Sequence, residues 1–173
     1  MDQEEKQRNY ALAEKLLAEQ NLVAATVFGA LAMILAAGFY GVIGSGGATY
    51  SFMSAGIGLA VGLTMQFLGR GIDYRFPLVA SILALIGCLL GNMFTLVIYV
   101  ARSNMVSPFK TLAETPLDVL VGWAVSGVQL ISLFFWMMSM VTAIYFAKRS
   151  LTREERLAIG LYEMRAGRHQ APS

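Results

Sequence analysis

The chain has 173 residues, of which 57% are hydrophobic and only 14% are charged, with a net charge of +2 at pH 7. This composition argues against a soluble domain, in which about a quarter of the residues are charged, and the small net charge without a basic stripe argues against nucleic-acid binding. The single cysteine, Cys88, excludes a disulfide framework or a zinc site within one chain.

Residues 1–20 are predicted to form a cytoplasmic amphipathic helix. Tyr10, Leu16 and Leu17 fall on one face of this helix, and most of its charged residues fall elsewhere. A cleavable signal peptide has a basic start and an apolar core of about 7–15 residues. Because this N-terminus is highly charged and precedes a longer apolar run, we expect it to stay in the mature protein.

Residues 21–147 are predicted to form one transmembrane domain. It contains four apolar segments, at 22–43, 48–69, 76–101 and 119–147. At about 1.5 Å per residue, a helix of each length crosses a hydrocarbon core of about 30 Å. The predicted fold class is therefore an all-α membrane protein, a four-transmembrane-helix bundle with short amphipathic cytoplasmic helices at both ends.

Residues 148–173 are predicted to form a cytoplasmic helix followed by a disordered tail. Thr152 and Glu155 have the spacing of a capping box, which marks the start of a helix. The positive charges agree with this placement, because with both termini inside only Arg102 and Lys110 lie on the other side. The predicted topology anchors at the cytoplasmic headgroups are Arg70, Arg75, Lys148 and Arg149.

Small residues recur every four positions in the second and third apolar segments. The predicted helix-packing residues are Ser54, Gly58 and Gly62 in one segment, and Ala80, Ala84 and Cys88 with the adjacent Gly87 and Gly91 in the other. In lipid, helices associate by close packing rather than by the hydrophobic effect, so small faces favour contact. We expect these two segments to form a hairpin packed along these rows; the alternative is that one row faces a second copy of the chain.

Polar residues inside the apolar segments are few. Asn92 and Gln129 are predicted to lie at similar depth and to form a hydrogen-bonded pair. The alternative is that they line a polar permeation path together with Ser126 and Ser54. Gln66 is predicted to belong to a second polar layer nearer the cytoplasm, with Thr64, Ser81 and Thr142.

The fourth segment carries a bulky apolar run at 134–138, near its centre. Aromatic rings with flexible methionines suit a surface that contacts protein or lipid. Trp136 at this depth is unusual, because tryptophan is usually found at the membrane interface.

Catalytic chemistry has little support in the sequence. The interiors of the predicted spans contain no Asp, Glu, Lys, Arg or His, which are the usual marks of proton relays and ion pathways. The only histidine, His169, lies close to the end of the chain. We therefore expect no catalytic residue, no metal and no other cofactor, and the protein is predicted not to be an enzyme.

The stretch AGIGLAVGLTMQFLGRGIDYRFPLVASILALIGCLLGN, residues 55–92, resembles small bacterial multi-pass membrane proteins. The shared features are a glycine-rich span, a Gly-Arg-Gly-like turn and a Gly-Cys-Leu-Leu-Gly-like run. The resemblance implies a location in the bacterial inner membrane, and it assigns no catalytic or ligand-binding residue.

The leading hypothesis is a non-enzymatic inner-membrane subunit or scaffold of a larger complex. Its expected partners are membrane lipids, and other membrane or cytoplasmic subunits or further copies of the chain. The alternative hypothesis is a small oligomeric channel or facilitator for a neutral or lipid-like solute.

Overall fold

The computed structural model describes residues 3–46, 51–126, 128 and 130–169. Within these ranges every regular element is a helix. The α-helices are α1 (Gln3–Ala18), α2 (Leu22–Gly44), α3 (Ser54–Gly69), α4 (Arg75–Ser103), α5 (Pro108–Glu114), α6 (Leu117–Val125), α7 (Leu130–Ala147) and α8 (Arg153–His169), and a short 3₁₀ helix at Ser51–Met53 leads into α3.

Three of these helices, α2, α4 and α7, are long and apolar enough to cross a membrane. Helix α3 is also apolar but has only 16 residues. The all-helical fold is therefore confirmed, and three helices have the length and apolar composition that a membrane span requires.

The predicted segment 119–147 is not one helix, which corrects the sequence analysis. Helix α6 ends at Val125, Ser126 has an extended backbone with φ −69° and ψ 144°, and α7 begins only at Leu130. Serine and glycine are weak helix formers, and the sequence places Ser126 next to Gly127 at this break. The apolar run is therefore divided into a short helix and a long one.

The long helices pack into a bundle in which α2 and α4 run parallel to each other and antiparallel to α3 and α7. Helix α3 contacts all three of the others. The buried core of the bundle consists of Ala25, Met33, Ile57, Val61, Met65, Phe76, Ala80, Ala84, Cys88, Trp136, Ala143 and Ala147. Trp136 belongs to this core, whereas Phe134, Met137 and Met138 of the same run are exposed.

The terminal helices α1 and α8 pack against each other at one end of the bundle. Their shared apolar cluster is formed by Ala13, Leu16, Ala158 and Ile159. The predicted capping box is confirmed, since the backbone N–H of Thr152 donates to Glu155 Oε2 at 2.8 Å and the N–H of Glu155 donates to Thr152 Oγ1 at 3.3 Å. Both ends of the described chain therefore lie at the same end of the bundle.

Candidate functional site

The small-residue row of α3 faces α7. All eight predicted packing residues are buried. A Cβ added at Gly58 would overlap the backbone of Ser139, and one added at Gly62 would lie 2.9 Å from Phe146 Cβ and 3.0 Å from the carbonyl oxygen of Ala143. The prediction that this row packs against the third apolar segment is therefore wrong: the closest backbone approach is between α3 and α7.

The small residues of α4 lie against both α2 and α3. A Cβ at Gly87 would be 2.6 Å from Ile57 Cγ2 of α3 and 2.9 Å from Met33 Cγ of α2, and one at Gly91 would be 2.8 Å from Tyr40 Cδ1 of α2. The small residues of α4 therefore leave room for side chains of both α2 and α3. They do not face one row of small residues on a single helix.

Helix α2 has a further buried row that was not predicted from the sequence. It consists of Ala25, Gly29, Met33, Ala37 and Gly41, spaced four apart, and all of them except Met33 are small. A Cβ at Gly41 would lie 2.6 Å from Phe94 Cβ and 3.0 Å from the Phe94 carbonyl carbon of α4. The signal was present in the sequence, because this row has the same four-residue spacing as the row on α3.

Two of the predicted polar residues, Asn92 and Ser126, bond to neighbouring residues of α6. Asn92 Nδ2 donates a long hydrogen bond of 3.5 Å to the carbonyl oxygen of Ala124 in α6, and Ser126 Oγ donates to the carbonyl oxygen of Trp123. Gln129, the expected partner of Asn92, lies outside the described residues. Ser54 is buried on α3.

The expected second polar layer is not built from the hydroxyls assigned to it. Thr64, Ser81 and Thr142 each donate to a carbonyl oxygen three or four residues earlier in their own helix. These bonds satisfy the hydroxyls within one helix, so they do not link neighbouring helices.

The densest polar contacts lie where α1, the α3–α4 turn and the α7–α8 connection meet. Arg149 bridges two carboxylates, with Nη1 3.4 Å from Glu19 Oε2 and Nη2 3.2 Å from Glu155 Oε1. Arg70 Nη1 also lies 3.3 Å from Glu19 Oε2. We call Glu19, Arg70, Arg149 and Glu155 the ion network; it joins the terminal helices to the bundle.

Backbone hydrogen bonds fix the same junction. Gln20 Oε1 accepts from the N–H groups of Ile72 and Asp73 at 3.2 and 3.3 Å. The N–H of Asn21 donates to Gly69 O at 3.1 Å, and the N–H of Arg149 donates to Gly71 O at 3.0 Å. The α3–α4 turn is thereby held from both sides by segments distant in sequence.

The glycines of the α3–α4 turn leave room for neighbouring side chains. Arg70, not a glycine, adopts the left-handed conformation, with φ 47° and ψ 34°. A Cβ at Gly71 would overlap the ring of Phe76, and one at Gly69 would lie 2.5 Å from Ala25 Cβ. The glycines therefore let Phe76 fold back under the turn.

The capping box and the ion network act on the same carboxylate. The hydrogen bond from the Thr152 backbone, supported by the Thr152 hydroxyl and the charge of Arg149, holds the pKa of Glu155 below its ordinary value. The carboxylate therefore stays ionised at neutral pH and serves both as a cap for α8 and as a partner for Arg149.

Beside the ion network lies a groove of about 620 Å³ between α3, the end of α7 and the start of α8. We call it the basic groove. Its lining residues are Leu63, Gln66, Ile72, Tyr145, Phe146, Lys148, Arg149, Ser150, Leu151 and Arg156. Of the predicted anchors, Lys148 and Arg149 line this groove, Arg70 belongs to the ion network, and Arg75 pairs with Asp73 at 3.6 Å.

The described part of the chain contains no group of three or more His, Cys, Asp or Glu side chains placed to hold a metal ion. The thiol of Cys88 is buried beside Ser139 in the bundle core. Comparison with protein families, curated proteins and solved structures gives no match to this chain.

Proposed function

We propose that the protein is a non-enzymatic membrane subunit or scaffold whose chain crosses the bilayer four times, with α2, α3, α4 and the α6–α7 segment as the spans. Support for an even number of crossings comes from the contact between α1 and α8, because an odd number would put the two ends on opposite sides. Three helices are clearly long enough to span. Helix α3 supplies the remaining crossing, since its 16 residues extend about 24 Å and the 3₁₀ helix of 3 residues that leads into it adds about 6 Å.

We place the shared end of α1 and α8 in the cytoplasm of a bacterium. The positive-inside rule supports this orientation, since Arg70, Lys148 and Arg149 lie at that end together with both terminal helices. The inner-membrane location rests on the resemblance of residues 55–92 to bacterial multi-pass proteins.

The observation that carries the subunit role is the attachment of the α1–α8 pair to the bundle through the ion network. A pair held in this way is a rigid platform at the membrane surface rather than two loose tails. It presents Leu157 and Met164, which are 58% and 56% exposed. Exposed apolar side chains on a charged surface mark candidate protein contacts, so we propose that this platform binds another subunit.

The test is co-purification of the full-length protein in a mild detergent, followed by identification of bound proteins. Leu157→Gln with Met164→Gln should release a specific partner without loss of the folded bundle. Met105→Gln with Phe109→Gln is the matched control, because both residues are highly exposed but lie beyond α4, at the opposite end of the bundle. Equal partner recovery from all three proteins would contradict the platform role.

The channel hypothesis stays a prediction. Asn92 donates to a carbonyl oxygen of α6, which is the role of a side chain that joins two helices. Solute flux into liposomes that falls with Asn92→Leu and Gln129→Leu together would favour this hypothesis over the subunit role.

A further inference from the structure

We propose that the basic groove binds the phosphodiester headgroup of an anionic phospholipid. The groove combines a cationic end with an apolar wall, which is the arrangement that an amphipathic anion requires. The inference uses the proposed membrane placement of this end of the bundle, but not the proposed subunit role.

The groove has unbalanced positive charge. Three cationic side chains line it, from Lys148, Arg149 and Arg156, and no Asp or Glu side chain does. Arg149 is already paired with Glu19 and Glu155. Lys148 and Arg156 form no ion pair with any residue in the described ranges, so their charges are available to an anion.

The donors are also held in position. Arg156 Nε donates to the carbonyl oxygen of Leu151 at 3.3 Å, which leaves its terminal nitrogens free to contact a ligand. The backbone N–H of Arg149 is fixed to Gly71 O at 3.0 Å. Ser150 adds a hydroxyl that makes no hydrogen bond within the described part of the chain. Charged donors of this kind form strong hydrogen bonds to phosphate oxygens.

The position of the groove matches a lipid headgroup more closely than a soluble anion. Two of its cations, Lys148 and Arg149, follow directly after Ala147, the last residue of the apolar helix α7. Its wall continues along the bundle through Leu63, Tyr145 and Phe146. A phospholipid with its phosphate at the cationic end would therefore have its acyl chains alongside the apolar surfaces of α3 and α7. Basic pockets beside membrane helices on the cytoplasmic side are a recurrent site for anionic headgroups.

Native mass spectrometry of the full-length protein in mild detergent tests this proposal, with phosphatidylglycerol and phosphatidylcholine as probes. The protein should retain phosphatidylglycerol preferentially. Lys148→Gln with Arg156→Gln should weaken that binding about 30-fold, because each groove cation that contacts the phosphate directly contributes a factor of about five. Lys148→Arg with Arg156→Lys should bind as the unaltered protein does, which separates lost charge from lost fold.

The matched control is Arg75→Gln with Arg153→Gln, which removes two charges from the same end but outside the groove. We expect this control to weaken binding by no more than about fivefold, through the general surface potential. Equal losses in both double variants, or equal retention of phosphatidylcholine, would overturn the proposal. Displacement of the lipid by inorganic phosphate would also overturn it, by identifying a site for free phosphate. None of these results bears on partner recovery by the α1–α8 platform.

Discussion

Replacing Gly58 by alanine should destabilise the bundle by pushing α3 away from α7. The added Cβ would lie 2.7 Å from the carbonyl carbon and 2.9 Å from the Cα of Ser139, whereas ordinary contacts are 3.4–4 Å. These are backbone atoms, which cannot rotate aside as a flexible side chain can. The helices must therefore separate by roughly 1 Å at this crossing, and overpacking of this kind costs about 1–3 kcal/mol.

Substitution of two other glycines on the same helix should destabilise the protein less than Gly58→Ala does. Gly62→Ala meets Phe146 Cβ at 2.9 Å and Ala143 O at 3.0 Å, so it should cost less than Gly58→Ala. At Gly56 an added Cβ meets nothing within 4 Å, so Gly56→Ala should stay within about 1 kcal/mol of the unaltered protein. The assay is unfolding of the purified protein in mixed micelles with increasing denaturing detergent. Equal stability of Gly58→Ala and Gly56→Ala would contradict a close approach of α3 and α7 at Gly58.

Three further predictions concern the turn, the α8 cap and the polar contact to α6. Gly71→Ala should destabilise the protein by about 1–3 kcal/mol, because the added Cβ overlaps the Phe76 ring. Phe76→Leu in the same chain should recover part of this loss of stability. Additive losses from the two substitutions in the same unfolding assay would contradict this. Because the Thr152 backbone lowers the pKa of Glu155 in the folded state, this carboxylate contributes stability above its unfolded pKa, and that contribution is lost as the pH falls through the lower folded value. The protection of α8 amides, measured as the exchange rate relative to intrinsic exchange at the same pH, should therefore fall on acidification below the ordinary pKa of 4.5, and Glu155→Gln should remove that dependence; an unchanged pH profile of protection in the variant would refute it. Asn92→Leu should cost no more than about 0.6 kcal/mol, since its bond to α6 is 3.5 Å long; a loss several times larger would show that this side chain has a stronger partner.

The sequence was sufficient to predict α2 and α4 closely, but not which helices pack against each other. The lengths of the apolar runs predict helices at 22–43 and 76–101. The structure has α2 at Leu22–Gly44 and α4 at Arg75–Ser103. Length and composition determine whether a segment can span, and these properties are local. At Ser126 a weak helix former interrupts a long apolar run, and hydropathy alone does not predict that the helix ends there.

Pairing of the small rows was predictable only in part. The spacing of Ser54, Gly58 and Gly62 correctly indicates a face with little bulk, and all three are buried. It does not specify which neighbour approaches. The short α3–α4 turn suggested α4, yet Gly58 lies against Ser139 of α7, because a chain connection brings helices near without fixing their rotation.

The ion network was also only partly predictable from the sequence. Arg70 and Arg149 were predicted as separate anchors from their charge and position, but their common partner Glu19 lies far away in sequence. Such long-range ion pairs leave no periodic signal. The capping box of Thr152 and Glu155, in contrast, is local and was predicted in full.

The central claim, four crossings with both ends on one side, is tested most directly by the labelling of single cysteines in intact cells and inverted vesicles, on a Cys88→Ala background. Cysteines at Tyr74 and Ser150 should react only from the cytoplasmic side, and cysteines at Gly46 and Asn104 only from the opposite side. Labelling of positions 46 and 74 from the same side would show that α3 does not cross the membrane, and it would contradict the four-span topology.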